Sequence, residues 1–147
     1  MKTTQKPKII GRIELLDLPE WNFNDLEAKI DTGAYTSSLH CHDIEAFKKD
    51  GESWIKFYLL DPEHESYNKQ EILMPVHDQR EVKSSNGESE MRYFIKTKVI
   101  LFEQAYDIEF SLTDRSAMKY PLLIGRKFLQ KGPFLVDVTK VNLNKIN

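Results

Sequence analysis

Leu26, Ala28 and Ile30 alternate with Glu27, Lys29 and Asp31, and the segment runs directly into Thr32-Gly33-Ala34. A period of two is that of a half-buried strand, so Asp31 is placed where a strand gives way to a turn. There a glycine lets the backbone pass close behind a carboxylate, a threonine can hydrogen-bond across to a symmetry mate, and the aspartate is held where it can activate water. The same residues also suit a plain strand-to-turn corner, in which Asp bonds the backbone ahead and Gly supplies an unusual φ. A D-T-G tripeptide arises by chance in such a chain with a probability of roughly a few per cent.

Hydrolysis of a peptide by carboxylates needs two of them sharing one proton, one acting as base on water and the other serving the scissile carbonyl. The chain has no second D-T-G or D-S-G. The second aspartate must then come from an identical chain around a two-fold axis, which puts Asp31 at an isologous interface and makes a homodimer a requirement of the mechanism.

His40-Cys41-His42-Asp43 offers a different chemistry. On a strand, His40 and His42 point to one face and could both reach a metal, but a catalytic zinc wants three protein ligands and an open position. There is no H-E-x-x-H, and His64 and His77 lie in polar stretches. Cys41 as a nucleophile lacks an identifiable base, its neighbouring histidines pointing away from it on a strand. No phosphate-binding glycine loop is present, so ATP chemistry has no support in the chain. The expected complement is no metal and no cofactor.

Asp31-Thr32-Gly33-Ala34 together with the later Leu123-Ile124-Gly125-Arg126 resembles the retropepsin-like aspartic peptidases. Ala28-Lys29-Ile30, Thr36-Ser37-Ser38-Leu39-His40, Asp114-Arg115-Ser116, Tyr120-Pro121 and Val136-Asp137-Val138 extend the likeness over nearly the whole chain. In this form it is similar to the bacterial family long labelled ATP-dependent zinc proteases, some members of which are associated with glutamate ligases that modify a ribosomal protein. The resemblance implies Asp31 as catalytic carboxylate, Thr32 as the cross-dimer hydrogen-bonding residue and Gly33 as the close-approach position. Gly125 and Arg126 would buttress the loop bearing Asp31. Ala34 and a flap around Ser84, Ser85, Asn86 and Gly87 would bind substrate. Retroviral members carry an acidic residue after D-T-G-A that pairs with the arginine; here that position is Tyr35, so Arg126 needs another partner.

The elements that position these residues read as strands. Trp54 to Leu60 follows the turn dipeptide Asp50-Gly51, and Arg92 to Leu101 follows Ser84-Ser85-Asn86-Gly87, a strong hairpin signal. Ile108, Phe110 and Leu112 alternate with polar residues. Leu122-Leu123-Ile124 is a short buried strand with room for one short helix after it, and Phe134 to Val138 adds another strand. Asp61 to Gln70 and His77 to Glu90 read as long loops or loosely paired hairpins. Trp54, Phe57, Tyr58, Tyr93 and Phe94 are expected in the core or an interface, Lys96 and Lys98 on a solvated face, and Asp114 with Arg115 in a structural ion pair. Without a sustained helical period, the expectation is a mainly β, retropepsin-like closed barrel forming a single domain over residues 1–147.

Composition bounds the function. The 147 residues carry 21 Lys and Arg against 23 Asp and Glu, and a formal charge of -2 gives no bulk drive toward nucleic acid or an anionic membrane. The single Cys41 excludes an internal disulfide and multi-cysteine zinc sites. No apolar run reaches the length of a membrane span or signal peptide, and a cytoplasmic location is expected. The expected function is an aspartic endopeptidase acting as a homodimer on peptide or protein substrates, acidic or glutamate-extended ones among them. Two alternatives stand beside it: a catalytically silent dimeric peptide-binding module, and a zinc hydrolase built on His40 and His42.

Overall fold

The computed structural model describes residues 6–83, 86–114 and 120–145. In chain order the strands are β1 (Lys8–Leu18), β2 (Phe23–Ile30), β3 (Ser37–Lys49), β4 (Glu52–Leu59) and β5 (Glu71–Pro75). They continue as β6 (Asp78–Lys83), β7 (Ser89–Leu101), β8 (Gln104–Thr113), β9 (Leu122–Ile124) and β10 (Phe134–Val141). The one α-helix among the described residues, α1 (Arg126–Lys131), follows β9 directly, and a 3-10 turn, Pro19–Trp21, joins β1 to β2.

Six strands close a barrel in the order β1-β2-β9-β3-β8-β7, the ring completed by pairing of Asp17 with Ile100. Outside the ring, β10 runs parallel to β1, β6 pairs with β7, and β4 and β5 extend from β3. The fold is the mainly β closed barrel with one short helix that the sequence implies. Along β2, burial follows the alternation, with Leu26, Ala28 and Ile30 inside and Glu27 and Lys29 outside. Leu39, Cys41, Phe110, Leu112, Ile95 and Val99 meet in the interior, each nearly or wholly buried. Their apolar area is the main source of stability, at roughly 25 cal/mol per Å² removed from water.

The Asp50-Gly51 turn joins β3 to β4 with φ of 52° and 80°, the left-handed pair that a tight hairpin asks for. Within His77 to Glu90, β6 pairs with β7 in register from Asp78↔Phe94 to Lys83↔Ser89. Asp61 to Gln70 forms turns and irregular chain. Phe57 and Phe94 are buried, Trp54, Tyr58 and Tyr93 half-buried, and Lys96 and Lys98 exposed. Arg115 and Ser116 lie outside the described residues, as do Ser84 and Ser85. No helix among the described residues is long and apolar enough to cross a membrane.

Strand β1 carries an acidic side chain in its interior. Glu14 is fully buried just after the register shift between Gly11 and Ile13, and its carboxyl group accepts from the Gly11 amide at 2.7 Å and the Asn144 amide at 2.8 Å. Asn144 also donates to the Leu15 carbonyl and accepts from the Phe102 amide. The C-terminal segment is thereby bonded onto the barrel wall.

Candidate active site

The loop bearing Asp31 is held by the strand that sequence order places last but one. Residues of β9 pair with β2 on one side (Ala28↔Leu122, Ile30↔Ile124) and with β3 on the other (Ser38↔Leu123, Leu39↔Leu122). Paired along both edges, three residues suffice to anchor β9, with Leu122 and Ile124 buried and Leu123 half-buried. The loop leaves β2 and re-enters β3 around this insert.

Backbone bonds then lock the turn. The Asp31 amide donates to the Ile124 carbonyl at 2.8 Å, the Arg126 amide to Ala34 at 2.7 Å and the Lys127 amide to Tyr35 at 3.1 Å. Gly125, between them, donates to Ser37 Oγ at 3.0 Å, and a Cβ there would meet the carbonyl oxygens of Tyr35 and Thr36 at 2.7 Å. Only glycine admits that approach. Asp31 is half-buried, and its Oδ1 accepts the Gly33 amide at 2.9 Å, which commits one carboxylate oxygen to its own loop. Arg126 donates to the Thr32 carbonyl at 3.2 Å, and its guanidinium sits 5.6 Å from the Tyr35 ring centre. The partner of Arg126 is thus the tyrosine that occupies the acidic position, together with a main-chain oxygen.

A cleft of about 710 Å³ runs between this loop and the β6–β7 hairpin. Asp31, Gly33, Ala34, Tyr35 and Thr36 line one wall, and Arg80 to Lys83 line the other. Ser38, Arg92, Phe94 and Thr113 form the floor. Thr32 is exposed beside the cleft, and Asn86 and Gly87 lie exposed beyond the hairpin strands, outside the walls that one chain supplies.

Behind the cleft, Glu109 gathers cations from two elements. Its Oε1 accepts from Arg80 and from Lys127 Nζ at 3.3 Å, and its Oε2 lies 3.1 Å from His77 Nε2. Burial pushes the Glu109 carboxyl up, but the hydrogen bonds and charges of Arg80 and Lys127 outweigh it and hold the group below its ordinary value. The Arg80 guanidinium, also ion-paired with Asp78, stacks 3.9 Å from the Phe94 ring centre.

The histidine-cysteine run lies on β3. His40 is buried, its Nδ1 without a partner among the described residues, and burial, aided by His42 and His64 against Asp61 and Asp114, lowers its pKa. His42 packs against Tyr58 and Tyr67, shares a 3.1 Å hydrogen bond with the Tyr67 hydroxyl and lies 3.3 Å from Asp43. Among the described residues no three His, Cys, Asp or Glu side chains gather as a metal site. Cys41 points into the core, where burial raises its thiol far above the ordinary range.

Arg80, Arg92 and Thr113, which line the cleft, and Glu109, which holds Arg80 from outside it, are residues that no motif marks. Arg80 and Arg92 face each other across β6 and β7, and Thr113 is at the end of β8; only strand register brings them to Asp31. The paired hairpin signal was the one local clue to where the cationic residues would be.

Residues 9–146 match the family model described as RimB-like, retropepsin-like aspartic endopeptidase RimB. A protein of Shewanella pealeana called probable alpha-L-glutamate ligase is 40% identical over 133 residues, which cover 88% of this chain and 28% of that relative. One of the same name from Desulfotalea psychrophila is 38% identical over 120 residues, covering 82% of this chain and 26% of that relative. The chain spans about a quarter of the length of these curated relatives. A crystal structure of a protein of unknown function from Legionella pneumophila superposes with a TM-score of 0.79 at 26% identity, over 95% of this chain and 100% of that one.

Proposed function

The chain belongs to the RimB-like family of retropepsin-like aspartic endopeptidases, and from that premise we propose that it is an aspartic peptidase whose Asp31 acts with the Asp31 of a second copy. The observation that carries this reading is the half-buried Asp31 carboxylate on one wall of a cleft whose opposite wall is a hairpin. One chain supplies one such aspartate, so the working unit is a homodimer with a single site on its two-fold axis.

In that site the two carboxylates share a proton. The ionised one takes a proton from water as its oxygen attacks the scissile carbonyl, and the protonated one gives its proton to the carbonyl oxygen. Collapse of the tetrahedral intermediate breaks the C–N bond as the amine leaves with a proton returned by the dyad. Thr32 bonds across the two-fold, and the β6–β7 hairpin, with the Asn86-Gly87 turn at its tip, covers the substrate and excludes water.

The substrate we infer is an acidic peptide, of which a glutamate-extended tail is one form. Arg80, Lys83 and Arg92 line the cleft against Asp31 and Glu81, and the longer relatives bear the name of glutamate ligases. Purified protein incubated with glutamate-rich peptides should release fragments, with a bell-shaped pH dependence belonging to the pair, and Asp31→Asn should abolish release while leaving the dimer intact. Hydrolysis unchanged by Asp31→Asn would sink the proposal. A second reading, a silent peptide-binding module, draws on the outer edge of β6, which no described strand pairs; tight binding without turnover would select it.

A further inference from the structure

We propose that Arg92 and Thr113 form a subsite on the cleft floor that binds a carboxylate of the substrate. The inference rests on the peptidase reading for the identity of the ligand as a peptide, and on the floor itself for its charge. Arg92 is 9% exposed and Thr113 3%, yet among the described residues Arg92 Nε and Thr113 Oγ1 have no hydrogen-bond partner. They belong together by register: Phe94 on β7 faces Ser111 on β8, and Arg92 and Thr113 each lie two residues further along, on the same face of the sheet.

Of the three cations lining the cleft, Arg92 is the one whose charge is both desolvated and poorly compensated. Arg80 is held by Asp78 and Glu109. Lys83 is exposed to water. The acidic group recorded near Arg92 is Glu90, at 3.6 Å and itself 59% exposed. A guanidinium only donates, and a hydroxyl can donate beside it, so the group that satisfies both is an acceptor with negative charge. In the homodimer the two-fold repeats the subsite on the other side of the cleaved bond, so a preference for acidic residues would extend both ways from it.

Binding is measured by titration calorimetry on the Asp31→Asn chain, which separates recognition from turnover. The probes are a capped Ala-Glu-Glu-Glu-Ala peptide, its capped Ala-Gln-Gln-Gln-Ala counterpart, and the glutamine peptide with a free C-terminal carboxylate. The expected result is binding of the capped glutamate peptide about tenfold or more tighter than the capped glutamine one, the scale of a desolvated charge-assisted hydrogen bond. Arg92→Gln should bring the two affinities together, Thr113→Val should narrow the gap, and Arg92→Lys should keep part of it. A purely structural arginine would lower the melting temperature without changing the preference, whereas removal of an uncompensated buried charge should leave the melting temperature equal or higher. If the free C-terminal peptide alone gains affinity through Arg92, the subsite stands and its carboxylate is a chain terminus. Equal affinity for all three probes, or a preference that survives both Arg92→Gln and Thr113→Val, overturns the subsite, even where the wild-type chain hydrolyses peptides. An Arg92-dependent preference in a chain that hydrolyses none of them upholds the subsite and removes the peptidase reading.

Discussion

The guanidinium of Arg126 lies 5.6 Å from the centre of the Tyr35 ring while it donates to the Thr32 carbonyl at 3.2 Å. A cation–π contact and a hydrogen bond to the main chain thus stand where an acid–base pair would otherwise tie helix α1 to the loop of Asp31. Tyr35→Leu should cost about 0.5–1 kcal/mol, because the ring is exposed and the contact partly hydrated. Arg126→Ala should cost more, since it also removes the bond to Thr32. Urea denaturation of both variants measures the difference, and equal losses would show that the main-chain bond contributes nothing.

Gly125→Ala forces a methyl group against two carbonyl oxygens at 2.7 Å. Those atoms are backbone, so the loop of Asp31 must shift, at about 1–3 kcal/mol or more for such overpacking. Ser37→Ala opposes the same loop differently, leaving the buried Gly125 amide without its acceptor and costing about 1–3 kcal/mol. Both variants should lose peptide hydrolysis at temperatures where they remain folded, as checked by circular dichroism beside the activity assay.

Glu109→Gln should loosen the β6–β7 hairpin from helix α1. The carboxyl of Glu109 is held below its ordinary value, so its contribution to stability is present above the unfolded-state pKa of about 4.3 and lost as pH falls through the lower folded value. The wild type should therefore show an acid limb in its stability profile that the variant flattens. Faster amide exchange in Arg80 to Lys83 of the variant at neutral pH is the second readout; unchanged exchange would detach Glu109 from the hairpin.

His40 sets a second limb at milder pH. Its pKa is lowered, chiefly by burial, so the stability it confers is complete above about 6.5 and declines as pH falls toward the folded value. His40→Asn should flatten stability between neutral and mildly acidic pH.

Cys41 should not react with thiol reagents in the folded protein, because it is fully buried and its thiol is held protonated by desolvation. One equivalent should react on denaturation. Rapid labelling of the native chain would place the side chain outside the barrel.

The sequence pattern reveals those strands whose two faces differ. In β2 the alternation of Leu26, Ala28 and Ile30 with charged neighbours maps residue for residue onto burial, and Asp50-Gly51 marks the β3–β4 hairpin through the conformation it requires. Strand β1 escapes because Gly11 and the fully buried Glu14 interrupt the apolar rhythm, and Glu14 is tolerable only through amides of Gly11 and the distant Asn144. The first five residues of β3 are all buried, so they show no alternation. At the site, the D-T-G-A and Leu-Ile-Gly-Arg segments are local signals for a loop and its support. Arg92, Thr113 and Glu109 carry none, because their meaning depends on pairings between strands remote in sequence.

The ring of six strands is joined between β1 and β7 by one residue pair, Asp17 with Ile100, assisted by Glu20, which accepts from Thr97 Oγ1 and the Lys98 amide. Counting around the ring, that seam lies opposite the junction of β9 with β3, beside which the loop of Asp31 is anchored. The barrel is therefore built like a bracelet whose clasp sits diametrically away from its stone. With one paired residue at the clasp against two to eight at every other junction of the ring, strand pairing is thinnest at the point farthest around the barrel from the anchored loop.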